Sequence, residues 1–151
     1  MTPIPRAALI LGLAGVLPFL WGALTELSPA LADFGLRWMG PRFLGPYVSL
    51  AYGTVILSFM SGALWGFAST ADRPDTRPLF LALSVLPALW AFFFIGGGPV
   101  SAAIWLAAGF VLLMGLDWLF WQHGLTPDWW MRLRLGLTAL VLACLMVPIF
   151  G

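Results

Sequence analysis

With 151 residues, 62% of them hydrophobic and only 9% charged, the chain has too little charge for an ordinary soluble domain, where about a quarter of residues are charged. Seven arginines, no lysine and six acids leave a net charge of +1, so there is no basic surface for nucleic acid, and the charges serve chiefly as topology markers. The composition predicts an all-α, polytopic membrane protein, one helical-bundle domain over residues 1–151 with membrane lipids as its surroundings.

Nineteen uncharged residues, Ala7 to Thr25, separate Arg6 from Glu26, close to the ~20 that span the hydrocarbon core, and predict a first crossing over 7–25. The rival is a cleaved signal peptide, with Arg6 as its positive start and Ala30-Leu31-Ala32 as a small-x-small site; against it stands an apolar stretch longer than the usual ~7 to 15 residues. Gly12, Gly15 and Gly22 offer close-packing surface, and Pro18 deprives the Ala14 carbonyl of its usual donor, so a kink is expected. Leu27, Leu31, Phe34 and Trp38 follow at helical spacing, with Ser28 placed to cap and Pro29 in the first turn. They predict a short amphipathic helix in the membrane interface, ended by Gly40-Pro41, with an extended loop as the alternative.

The uncharged run from Phe43 to Ala71 organises the reading: it predicts a second crossing over 46–69, with Thr54, Ser58, Gly62 and Gly66 recurring every fourth residue as one stripe. In lipid such a stripe lets backbones approach, because packing and hydrogen bonds drive helices together there. The second crossing is accordingly expected to be the hub of the bundle, packing through that face. The loop Asp72 to Arg77 is short, polar and helix-breaking, and belongs in water.

From Pro78 to Leu116 run 39 uncharged residues, too many for one crossing of a ~30 Å core. Gly96-Gly97-Gly98-Pro99 divides them into helices over 78–95 and 99–121, joined as a tight hairpin. Pro87 should bend the first of these and free the Leu83 carbonyl. Trp90, Phe92, Phe93 and Phe94 form either an aromatic belt or the wall of an apolar cleft. Thr126 as cap, Pro127 in the first turn and Asp128 at the positive end of the dipole predict a fifth helix over 127–150. Arg6, Arg73, Arg77, Arg132 and Arg134 then fall on the side of the N-terminus, against Arg37 and Arg42 on the other, which predicts N-in/C-out topology.

Asp117 is the acid embedded in a spanning segment, and an intramembrane ionisable group is a functional hypothesis that needs a partner. At 1.5 Å per residue it lies about 6 Å below the boundary and Arg134 about 10 Å, so Arg132 and Arg134 are the candidate partners. The pairing reads either as a structural ion pair pinning the last hairpin, with Trp118, Trp121, Trp129 and Trp130 as interface anchors, or as a proton or ligand site. His123 is solitary and reads as a solvated interfacial residue, and the single Cys144 as a small buried hydrophobe. No nucleophile elbow, phosphate loop, paired carboxylates, metal-ligand set or cofactor motif is present in the sequence, so no catalytic, cofactor-binding or metal residues are assigned and a non-enzymatic role is expected.

Four stretches carry a family resemblance: Leu11 to Phe19, Tyr52-Gly53 through Ser58-Phe59-Met60-Ser61-Gly62-Ala63-Leu64-Trp65-Gly66, Ser84 to Leu89, and Trp129 to Thr138. Together the chain resembles the transmembrane protein 69 family, small membrane proteins of bacteria and mitochondria whose domain is of unknown function. That family has two adjacent glycines where this chain has Ser61-Gly62. The resemblance implies an inner-membrane protein with several spanning helices and implies no activity. The length, five helices and nine tryptophans also look like the tryptophan-rich sensory proteins that bind porphyrins and lipids, a likeness of architecture alone, since that family's proline and tryptophan signature is missing from the first loop.

The excess of packing surface, the stripe of the second crossing plus Gly12, Gly15, Ala103, Ala107 and Gly109, leads to an accessory, assembly or scaffold subunit of a larger inner-membrane complex, respiratory or photosynthetic, with a membrane-protein partner or self-association. The competing class is a small transporter or a binder of an apolar ligand such as a lipid, quinone or porphyrin. That class requires a cleft between helices on which polar groups converge.

Overall fold

A computed structural model describes residues 2–151 and contains five helical stretches long and apolar enough to cross a membrane. The first, Arg6–Leu27, is two helices in succession, α1 (Arg6–Ala14) and α2 (Leu17–Leu27). The third, Arg77–Phe94, is likewise α5 (Arg77–Ser84) and α6 (Leu86–Phe94). Between them come α3 (Pro29–Trp38), a 3-10 turn at Pro41–Phe43 and α4 (Tyr47–Ser69); α7 (Pro99–Gln122) and α8 (Trp130–Phe150) complete the chain.

Pro18 and Pro87 do more than bend their helices. Each occupies the first turn of the second half-helix, where a missing N–H costs nothing, so the chain restarts a helix at each one. The break in the third crossing is secured from α4, whose Ser61 hydroxyl accepts the Ala88 N–H at 2.8 Å.

The α4 helix packs against α2, α5, α6 and α7 and is the hub, but through a different face from the one the small residues suggested. Its inward residues are Ser49, Gly53, Leu57, Met60, Ser61, Leu64 and Ala68. Ser58, Gly62 and Gly66 are exposed, Thr54 is half-buried, and a Cβ added at Gly62 or Gly66 would meet nothing within 4 Å. The expectation that this stripe seats neighbouring helices of the same chain is therefore corrected. The Thr54 and Ser58 hydroxyls return to their own helix, donating to the Leu50 and Thr54 carbonyls at 2.8 and 3.0 Å. Close approach occurs where a large side chain lies on a buried glycine instead: Leu106 over Gly53, and Leu57 with Trp90 over Gly109. Leu57, Leu64, Leu106, Phe110, Leu113, Phe120 and Leu145 form the buried centre between α4, α7 and α8.

Ser28 caps α3, accepting the Leu31 N–H, and Gly40, at φ +92°, ends that segment before Pro41. Phe34 and Trp38 are exposed while Gly35 packs on Leu44 and Trp21, so α3 turns its apolar stripe outward, as an interfacial helix would. At this end a clamp holds the first and second crossings. Thr25 Oγ1 donates to the Gly22 carbonyl and accepts the Gly45 N–H, both at 2.9 Å, and Trp21 Nε1 donates to the Phe43 carbonyl at 2.8 Å. Gly22 and Gly45 meet so closely that a Cβ on Gly45 would lie 2.0 Å from the Gly22 carbonyl oxygen.

Gly97, at φ +80°, turns the α6–α7 hairpin as the glycine run predicts. The α8 boundary departs from expectation: the helix begins at Trp130, and the Thr126 hydroxyl points to the Pro127 carbonyl rather than capping a helix. Residues 126–129 instead form a turn leading into it.

Candidate functional site

Asp117 is fully buried on α7, about 8 Å along the helix from its end at Gln122. A bare carboxylate there would be prohibitively costly, and both of its oxygens are met from α8. Arg134 Nε donates to Oδ2 at 2.8 Å and Trp130 Nε1 donates to Oδ1 at 2.9 Å. Trp130 and Arg134 are four residues apart, hence on one face of α8, which is why a single carboxylate can receive both. Arg134 is thus the partner of Asp117, whereas Arg132 is exposed and donates to the Thr2 carbonyl. Trp130 turns inward to this pair and packs edge-on against Phe67, while Trp118 and Trp121 remain exposed. With Arg134 committed to the interior, the other arginines on the side of the N-terminus are Arg6, Arg73, Arg77 and Arg132, of which Arg77 is half-buried and donates to the Ala71 carbonyl.

The pair leaves one side of the guanidinium unused. Arg134 is 6% exposed, and its Nη2 has no hydrogen-bond partner among the described residues. One turn further on, Thr138 is 5% exposed and its Oγ1 is likewise unpartnered. Both side chains line a cavity of about 270 Å³ walled by the break between α1 and α2, by α4, α7 and α8. Most of its remaining wall is apolar: Val16, Phe19, Met60, Phe110 and Val141 are buried there, with Phe19 edge-on to both Tyr52 and Phe110, and Tyr52 adds a hydroxyl-bearing ring. Leu11 and Phe59 stand at the rim and are 71% and 69% exposed, within spanning helices, so the mouth opens sideways toward hydrocarbon. At the α1–α2 break Gly15 presents no side chain to the cavity, and the Tyr52 hydroxyl lies 3.6 Å from where its Cβ would stand.

A largely apolar cleft among spanning helices with polar side chains in its wall is equipped to take an apolar molecule. The cleft lies away from the aromatic wall named from the sequence. Trp90 packs on Phe94 and Trp105 and donates Nε1 to the Trp105 carbonyl at 2.8 Å, and Phe92 and Phe93 are exposed. His123 is half-buried against Phe80, 5.0 Å between ring centres, with Nδ1 2.9 Å from the Leu119 carbonyl, which corrects the picture of a solvated ring. Cys144 is a half-buried free thiol. Among the described residues no three of His, Cys, Asp and Glu converge. Tyr52 and Thr138 were not singled out from the sequence as site residues. The signal that could have found Thr138 is its i+4 spacing from an arginine inside an apolar helix.

A family model described as "Protein of unknown function (DUF3429)" matches residues 4–150. The Xenopus tropicalis protein "Transmembrane protein 69" is 32% identical over 139 residues, which cover 89% of this chain and 50% of that protein. The chain therefore spans about half the length of that relative. No solved structure matches.

Proposed function

The chain belongs to the DUF3429 family of proteins of unknown function, and we propose that this multi-pass membrane protein is a non-enzymatic binder of an apolar molecule, which enters sideways from the bilayer and is held by its polar end. The observation that carries the reading is a cavity of about 270 Å³ among spanning helices, whose largely apolar wall includes the polar residues Tyr52, Arg134 and Thr138. The cavity is slightly below the ~300 Å³ at which small-molecule sites begin, so it fits a polar head and the start of a chain, with the rest lying between Leu11 and Phe59 in lipid. The proposed setting is a bacterial inner membrane with the N-terminus in the cytoplasm and the C-terminus outside. Arg6, Arg73, Arg77 and Arg132 at the end of the bundle that holds the N-terminus, against Arg37 and Arg42 at the other, support that orientation.

Native mass spectrometry of the protein purified in mild detergent tests the binding. The reading expects about one amphiphile retained per chain, and its loss in Ile56→Trp, which fills the cleft from the half-buried face of α4. Equal retention by a correctly folded Ile56→Trp protein contradicts it.

A second reading, an accessory or scaffold subunit of a respiratory or photosynthetic complex, is supported by the outward face of α4. Thr54, Ser58, Gly62 and Gly66 form a shallow track there with no neighbour over its glycines, the relief that a helix of another chain fits. Copurification in mild detergent tests it: a chain that runs alone, without partner or self-association, counts against this reading.

A further inference from the structure

We propose a second, separate site: the 3-10 turn at Pro41–Phe43 and the seam of α2 with α4 seat one diacyl phospholipid of the leaflet opposite the N-terminus, its phosphate on Arg42 and its chains in two grooves that meet there. The two outward grooves share Pro18, Phe43 and Val48. One, of about 280 Å³, follows Val48, Ala51, Tyr52 and Val55, a single face of α4 at helical spacing. The other, of about 530 Å³, follows Ala14, Leu17, Pro18 and Trp21, with Phe34 and Met39 from the α3 segment beside them. Val48 to Val55 covers about 10 Å at 1.5 Å per residue, against the ~15 Å that is half of a ~30 Å hydrocarbon core, so the groove runs from the headgroup level toward the midplane, as the chains of one leaflet do. Arg42 lines the first groove and its neighbour Phe43 lines both. Arg42 is exposed and forms no ion pair, the one salt bridge among the described residues being that of Arg134 with Asp117. Its guanidinium carbon lies 5.6 Å from the Phe43 ring centre, and Trp21 Nε1 holds the Phe43 carbonyl at 2.8 Å, so the turn that carries the charge is tied to α2. A guanidinium presents a planar fork of donors that matches a phosphate, and an unpaired arginine at the membrane surface attracts one. Two grooves that join beside one cation match two chains that join at one phosphate.

Arg42→Gln is the informative variant: the side chain is exposed and unpaired, so its loss should leave the melting temperature in detergent unchanged. Delipidated protein is titrated with dioleoylphosphatidylglycerol and with dioleoylglycerol, which has the same chains and no phosphate, and bound lipid is read by native mass spectrometry. The inference expects saturable binding of the phospholipid, weakened about fivefold or more in Arg42→Gln, with dioleoylglycerol unaffected by that change. Arg37→Gln removes an exposed arginine at the same end that lines neither groove, and should alter phospholipid binding by less than about twofold. Ala51→Trp, which fills the α4 groove from its exposed face, should weaken the phospholipid as Arg42→Gln does. An Arg42→Gln protein that binds the phospholipid as tightly as wild type overturns the inference. So does an equal loss in Arg37→Gln, the mark of a diffuse field and not of a seat, or a parallel loss for dioleoylglycerol. The effect of Arg42→Gln should persist in an Ile56→Trp background, where the cleft of the proposed function is filled, so the two sites stand or fall separately.

Discussion

At the residue scale, a carboxylate inside a spanning helix was legible from the sequence as the point of interest, and depth counting named Arg132 and Arg134 as its possible partners. The choice between them was not legible, because it depends on the rotation of α8 about its axis, which the packing of Leu133, Thr138 and Leu145 decides. Arg134 and Trp130 face inward and Arg132 faces out. Changing one member of the pair strands the other: Asp117→Leu or Arg134→Met alone should cost about 3–5 kcal/mol, whereas the double change should cost clearly less than the sum. Thermal unfolding in detergent across the four proteins measures this, and strict additivity would mean that the pair is not coupled. Ser61→Ala should cost about 1–3 kcal/mol because it orphans the Ala88 N–H at the α5–α6 break. Ser58→Ala, which loses only a bond to its own helix, should fall within about 0.5 kcal/mol of wild type in the same assay.

At the element scale, the five crossings and the glycine hairpin were legible because length, charge and turn chemistry are one-dimensional signals. The face that each helix turns inward was not. In a chain this apolar, hydrophobicity scarcely separates inside from outside, and small residues suit a protein neighbour and lipid equally. Glycines that look alike in sequence therefore have opposite consequences. Gly45→Ala would force a Cβ to within 2.0 Å of the Gly22 carbonyl oxygen and should destabilise the protein by about 3 kcal/mol or more. Gly62→Ala and Gly66→Ala meet nothing and should stabilise the protein slightly, by up to about 1 kcal/mol each in an exposed helical site, read as a small rise in melting temperature. If α4 docks another chain, those same two changes should also reduce copurification of the partner, so stability and association would move in opposite directions.

At the scale of the whole molecule, five crossings with a break in the first produce both an odd-numbered topology and a cleft at the level of that break. Topology has its own check. In a background with Cys144→Ala, Asp75→Cys and Gly96→Cys lie at opposite ends of the bundle. A membrane-impermeant maleimide applied to intact cells should label Gly96→Cys and spare Asp75→Cys until the membrane is opened. The reverse pattern would invert the orientation. The cleft was not legible in advance, since it arises from α1, α2, α4, α7 and α8 meeting around Gly15 rather than from any local motif. The measurement that bears most directly on its purpose is a density map of the protein in native lipid at a resolution that shows side chains. It should reveal an elongated density leaving the cavity between Leu11 and Phe59, with its polar end on the side lined by Tyr52, Arg134 and Thr138. A cavity filled by the protein's own side chains, or lipid running past its mouth without entering, would contradict the account.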